Sequence, residues 1–196
     1  MNQEQPGDSY DLYELREAVM PMLSEKRVAH VAGTESEAVR LAHHWGENDE
    51  EAAVAAILHD CTKKLSHDEQ LKLCREYGIV IDKNEEATPK LLHAKTGAEV
   101  AKRQFGVNSR IYEAIRWHTT AKPDMTLLEK IMYLADYIEP TRDFEGVEEL
   151  RELAYEDIDK AMALGLKMSI DEITAKNTVP YKDTIEAYLW YAGEGD

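Results

Sequence analysis

Cysteine is almost missing from this chain: Cys61 and Cys74 are the only two in 196 residues, and they form no CxxC pair. That excludes a disulfide-stapled scaffold and a thiolate zinc site of ordinary spacing, and it fits a reducing compartment. Long apolar runs are missing too. No stretch approaches the roughly 18–20 residues that a membrane-crossing helix needs. The opening MNQEQPGDSYD has no basic end followed by an apolar segment, so neither a membrane span nor a secretory leader is expected and a cytoplasmic location is. Positive charge is scarce. Twenty-three Lys and Arg against 39 Asp and Glu leave a formal charge of -16. The mean field therefore opposes phosphate backbones and anionic lipid, so no nucleic-acid polymer and no membrane partner is expected. An anionic small molecule must then be met by local cations.

Glycine and proline, ten and six in number, are also sparse, and no Pro/Gly/Ser-rich linker divides the chain. What is present is helical patterning. Leu12, Leu15, Val19 and Leu23 recur at spacings of three and four. Ser66 with Glu69 and Thr126 with Glu129 are capping boxes, in which a hydroxyl and a carboxylate satisfy backbone groups reciprocally. Asn48 or Asp49, and Asn108, are further caps, while Gly46, Gly78, Gly106 and Pro140 are stops. The expected helices cover 10–24, 26–45, 49–62, 67–77, 89–105, 109–119, 126–138, 147–153, 156–175 and 181–192. Only Gly78 to Asp82 has the β-branched density of a strand, and a lone strand makes no sheet. The expected fold is all-α, a single compact helical bundle over 1–196.

Seven histidines make position the deciding matter. His59 directly follows the apolar run Ala52 to Leu58, where a polar group needs a partner. Asp60 comes next, about 100° around the helix, so a nitrogen and an oxygen donor leave neighbouring sectors and can grip one ion. A carboxylate has two oxygens and can bridge two cations, which makes Asp60 the natural shared ligand if the site holds two metals. Lys63 lies one turn on, and an ammonium beside a metal points to phosphate. Arg27, His30 and Thr34 repeat the pattern on an earlier helix. Asp136 ends the apolar stretch Ile131 to Ala135 and is followed by Glu139-Pro140-Thr141-Arg142. His93 and His118 complete the set. Nitrogen and oxygen donors without thiolates suit iron, manganese or zinc alike. His43 and His44 sit at a helix end and are read as dipole caps, and His67 as solvated. Tyr188, Trp190 and Tyr191 are read as core or as a dimer contact.

The order His30, His59-Asp60, His93, His118, Asp136 resembles the HD-domain metal-dependent phosphohydrolases, an all-helical superfamily named for the adjacent pair. The likeness is greatest to their symmetrical dinucleoside tetraphosphatase branch. It runs through KRVAHVAGT (26–34), ILHDCTKK (57–64), LLHAKTGA (91–98), IRWHT (115–119) and YLADYIEPTRDFEGV (133–147). This places the metal-site core at about 26–147 and a helical tail, without catalytic signature, at about 148–196. The resemblance implies a binuclear site, with iron most expected and manganese the alternative. His30, His59, Asp60 and Asp136 would hold one ion, and His93 and His118 the other, with Asp60 bridging. It further implies diadenosine tetraphosphate as substrate, cut to two ADP by a metal-activated water at the central anhydride. Asp60 and Lys63 are the expected catalytic residues, and Arg27, Lys63 and Arg142 the expected phosphate contacts. Both the likeness and the aromatic tail lean towards a homodimer.

Other nucleotide substrates stay open, as does a non-catalytic HD scaffold that binds a nucleotide. The cyclic-dinucleotide branch fits less well, since no Gly-Tyr-Pro motif occurs. In the guanosine-tetraphosphate hydrolases Glu-Asp commonly follows the HD pair, whereas Cys61-Thr62-Lys63-Lys64 stands here. A scaffold would have shed metal ligands, and none of the six is missing.

Overall fold

The computed structural model describes residues 9–193, with the side chains of 87, 89 and 90 set aside. Eleven α-helices are found among the described residues, and no strand. They are α1 (Leu12–Val19), α2 (Glu25–Trp45), α3 (Asp49–Leu58), α4 (His67–Tyr77), α5 (Lys83–Ala87) and α6 (Pro89–Phe105). The rest are α7 (Ser109–Trp117), α8 (Leu127–Ile138), α9 (Val147–Glu156), α10 (Ile158–Ala175) and α11 (Lys182–Ala192). The all-α expectation holds.

Helix α3 is the axis of the bundle. Its run Ala52 to Leu58 is buried on every side, each residue at most 2% exposed, the signature of a helix enclosed by others. Four alanines in that run let α2, α7 and α8 approach closely. Burying Ile57 and Leu58 contributes about 1.5–3 kcal/mol each before entropy is counted. The core is continuous from Leu15 to Ala187. Helices α9 and α10 close it against α8. Gly165 lets α10 meet Leu134, Tyr137 and Leu150, which lie 3.6–3.8 Å from where a Cβ would sit.

Most start and stop signals act as expected. Ser66/Glu69 and Thr126/Glu129 form capping boxes, and Asn48 rather than Asp49 caps α3. Gly46, Gly78 and Gly106 take left-handed conformations at helix ends. Several boundaries and one omission need correction. The helix expected over 10–24 stops at Val19 and passes into a tight turn at Met20–Met22, because Pro21 has no N–H to continue it. The helix expected over 49–62 ends at Leu58. There the His59 ring Nδ1 donates to the Ala56 carbonyl at 2.7 Å, and the chain continues through i→i−3 bonds such as Lys63 N–H to Asp60 O. The helix expected over 156–175 begins at Ile158, with Asp157 capping it and ending α9. Helix α5 was not expected at all; its capping box is Asp82 with Glu85.

Candidate metal centre

The buried end of α3 places two polar residues where no water reaches. His59 is 0% and Asp60 1% exposed. A carboxylate there is costly unless charge meets it, and the helices that clasp α3 bring that charge. Helix α2 carries His30 on its inward face, α6 carries His93 near its start, α7 ends at His118, and α8 carries Asp136 in its last turn. All six sequence-expected donors therefore meet in one place.

The two oxygens of Asp60 face different partners. Oδ2 lies 3.0 Å from Arg27 Nη1, 3.5 Å from His59 Nε2 and 3.8 Å from His30 Nε2. Oδ1 lies 3.3 Å from His93 Nε2, 3.6 Å from Lys63 Nζ and 3.9 Å from His118 Nε2. Neither oxygen accepts a hydrogen bond of ordinary geometry, although both are buried. Asp136 Oδ1 sits 2.9 Å from His30 Nε2 and 3.8 Å from His59 Nε2. Three trios bring their donor atoms within 4.8 Å of one another: His30/His59/Asp60, His59/His118/Asp136 and Asp60/His93/His118. A buried carboxylate that pairs with Arg27 and Lys63 and still faces imidazole nitrogens with both oxygens fits a cation. The C-terminal end of α3, the negative pole of its dipole, adds to that preference.

The electrostatics follow from burial and neighbours. Burial pushes the Asp60 carboxyl up, but His59, His93 and Lys63 outweigh it and hold it well below the usual carboxylate range. Burial likewise raises Asp136, and the bond from His30 with the nearby His59 and His118 brings it well below. His118, enclosed and beside His93 and His59, is pushed down to about 3 and stays neutral. Burial also lowers the Lys63 ammonium, against the pull of Asp60 and Asp136. The Cys61 thiol is pushed up to about 12 by burial and Asp60, so it offers no thiolate here.

The three expected phosphate cations all lie at this centre. Arg27, Lys63 and Arg142 keep 31%, 28% and 34% of their side chains exposed, so each joins the buried carboxylates to solvent. Lys63 Nζ also reaches His93 Nε2 at 2.9 Å. The other histidines stand elsewhere. His43 and His44 lie in the last turn of α2 as expected, and His44 Nε2 in addition meets the Tyr155 carbonyl at 2.7 Å and ties α2 to α9. His43 faces Asp49, and His67 is tied to the Glu86 carbonyl at 2.7 Å rather than merely solvated.

Several supporting residues escaped the sequence reading. Thr62 Oγ1 donates to the His93 carbonyl at 3.0 Å, and Gln70 Nε2 donates to the Thr62 carbonyl at 2.6 Å. These bonds fasten the His59-Asp60 turn to α6 and α4. Gly97 keeps α6 close to that turn, since a Cβ there would lie 3.2 Å from the His59 carbonyl. Thr62 stands in the ILHDCTKK segment, and Gly97 in LLHAKTGA beside Thr96, whose hydroxyl meets that of Thr62 at 2.9 Å; Gln70 lies in neither segment and carried no such signal.

A buried helix end bearing His-Asp, met by imidazoles and a second aspartate from the surrounding helices, defines a metal-site helical bundle. The chain belongs to the HD-domain family, whose model, described as HD domain, matches residues 27–141. It is 38% identical over 176 residues to a Bacillus subtilis protein named symmetrical bis(5'-nucleosyl)-tetraphosphatase, covering 88% of this chain and 92% of that one. A Halalkalibacterium halodurans protein of the same name is 39% identical, covering 87% and 91%. A crystal structure from Clostridium acetobutylicum, described as a predicted HD superfamily hydrolase involved in NAD metabolism, superposes with a TM-score of 0.90. It is 37% identical, with 94% of this chain and 98% of that chain covered.

Proposed function

We propose that this protein hydrolyses diadenosine tetraphosphate symmetrically, adding water across the central phosphoanhydride and releasing two ADP. The relatives named symmetrical bis(5'-nucleosyl)-tetraphosphatase carry the substrate. The observation that carries the chemistry is the division of Asp60: Oδ2 faces His30 and His59 while Oδ1 faces His93 and His118. That geometry supports a binuclear site with Asp60 as the bridge, His30, His59 and Asp136 on one side, and His93 and His118 on the other. Iron is the metal of this reading and manganese the alternative, both compatible with the donor set. Two such ions, when bound, neutralise phosphoryl oxygens and acidify a water for in-line displacement.

The protein's own groups do the rest. Asp60 and Asp136 stay ionised and fix the negative charge that holds cations. Arg27, Lys63 and Arg142 lie at the exposed edge and meet the polyphosphate, a local answer to the net charge of -16. Lys63, beside both Asp60 and His93, is the residue placed to stabilise charge on the phosphorus under attack. The leaving ADP is a stabilised anion, so neutralising its charge matters more than protonating it. A homodimer through the C-terminal tail belongs to the same reading, supported by the exposure of Trp190 and Ile185 on α11. A cytoplasmic setting is supported by the free, reduced cysteines and by the absence, among the described residues, of a helix long and apolar enough to cross a membrane.

Product analysis tests the substrate. Metal-loaded protein given diadenosine tetraphosphate is expected to yield ADP as sole product on anion-exchange chromatography. AMP with ATP would move the attack to another phosphorus and sink the symmetrical reading.

A further inference from the structure

We propose that Glu139 is a positioning residue for His30. Its buried carboxylate fixes the imidazole as the tautomer protonated on Nδ1, with Nε2 directed at the metal centre, and Gly33 is the notch that lets it reach. The proposal rests on the reading of His30 as a metal ligand.

The contrast among the histidines makes the case. The Nδ1 atoms of His59 and His118 are satisfied locally, by the carbonyls of Ala56 at 2.7 Å and Ile115 at 2.6 Å, because each ring stands at the end of its helix. His30 stands inside α2, where the helix occupies its own carbonyls. Its Nδ1 partner is Glu139 Oε1 at 3.1 Å, from 109 residues further along. Glu139 is 0% exposed. Thr141 donates to both of its oxygens, N–H to Oε2 at 2.6 Å and hydroxyl to Oε1 at 2.5 Å. A carboxylate so engaged is an acceptor, so the proton in the bond to His30 is on Nδ1. Nε2 is thereby the atom turned to the centre, 2.9 Å from Asp136 Oδ1.

The backbone carrying Glu139 is itself clamped. Arg151 Nε donates to the Ile138 carbonyl at 2.9 Å, and its Nη2 to the carbonyls of Glu139 at 3.0 Å and Arg142 at 2.9 Å. On the facing helix a Cβ at Gly33 would lie 2.5 Å from Glu139 Oε2. The atom in the way is the tip of a side chain. A methyl there displaces the carboxylate rather than the helix, and alanine favours the helix over glycine. A carboxylate behind a metal-binding imidazole raises its basicity and sets its orientation, and losing such a partner weakens metal binding by roughly 10- to 100-fold.

Two variants test this, Glu139→Gln and Gly33→Ala, beside wild type and His30→Ala. Each is titrated with manganese while the free ion is followed by electron paramagnetic resonance. Each metal-free protein also gives a histidine-ring nitrogen–proton correlation spectrum. Both variants are expected to weaken one class of manganese site by about 10- to 100-fold and to shift the His30 Nδ1–H signal, leaving those of His59 and His118 in place. Wild-type affinity with an unmoved His30 signal in Gly33→Ala and Glu139→Gln overturns the proposal, and a change in melting temperature alone does too. Should Glu139→Gln not fold, Gly33→Ala decides alone. Manganese binding by His30→Ala that matches wild type would instead remove His30 as a ligand and overturn the metal-site reading on which the proposal stands.

Discussion

Arg142 grips Asp136 twice, Nη2 on Oδ1 and Nε on the backbone carbonyl, each at 2.9 Å. A planar fork makes both bonds at once, which a lysine cannot do. Arg142 therefore belongs both to the carboxylate that anchors His30 and to the exposed edge where phosphate would arrive.

Arg142→Lys keeps the charge and loses the fork. Because charge-assisted bonds contribute about 1.5–3 kcal/mol, kcat/KM should drop by about 10- to 100-fold, which steady-state kinetics on diadenosine tetraphosphate will read. Wild-type kcat/KM in this variant contradicts the role given to Arg142.

His59→Ala and Asp60→Ala each remove a donor from the centre. Turnover is expected to vanish in both while the far-ultraviolet spectrum stays helical, since α3 ends at Leu58 before either residue. Full activity in either variant, after metal stripping and reloading, rules out the assignment.

Chelation should remove turnover and lower the melting temperature, and iron(II) or manganese(II) should restore both. A ligand present at about 100 times its Kd stabilises by about 2.7 kcal/mol, which in a chain of this size amounts to roughly 5–10 °C. Elemental analysis of reloaded protein should give two metals per chain; one per chain contradicts the bridging role of Asp60.

The metal-free protein should be sensitive to acid in a defined window. His118 is neutral in the fold, pushed down to about 3 from an ordinary 6.5. The unfolded chain takes up that proton first, so the stability due to neutral His118 is complete above about 6.5 and is lost as pH falls towards about 3. Asp60 and Asp136, held low, lose their contribution further down, below about 4. Urea midpoints measured from pH 7 to pH 3 should fall throughout. Equal midpoints at pH 7 and pH 4 would contradict a buried neutral His118.

Much of this molecule was legible as sequence because its signals are local. Ser66 with Glu69 and Thr126 with Glu129 announce helix starts within four residues, and the run Ala52 to Leu58 announces burial. The spacing of His59, Asp60 and Lys63 was readable for the same reason. Glu139 was not, because its partner His30 lies 109 residues away and a carboxylate before proline looks like any surface acid. The end of α3 was missed because the bond that ends it, from His59 to Ala56, is made by a side chain that elsewhere permits helix. The partners of His67 and His44 were not legible because their carbonyls come from α5 and the end of α9, which propensity cannot bring near.

The donors of the centre enter the chain at residue 30 and finish at residue 136. A ribosome must release most of the protein before the last one appears, so a nascent chain can carry the trio His30, His59 and Asp60 and still lack the two trios that His118 completes with Asp136 and with His93. The complete centre, unlike its first trio, is then a property of the finished fold: it joins residues from five helices or their ends, and no shorter piece of the chain contains it.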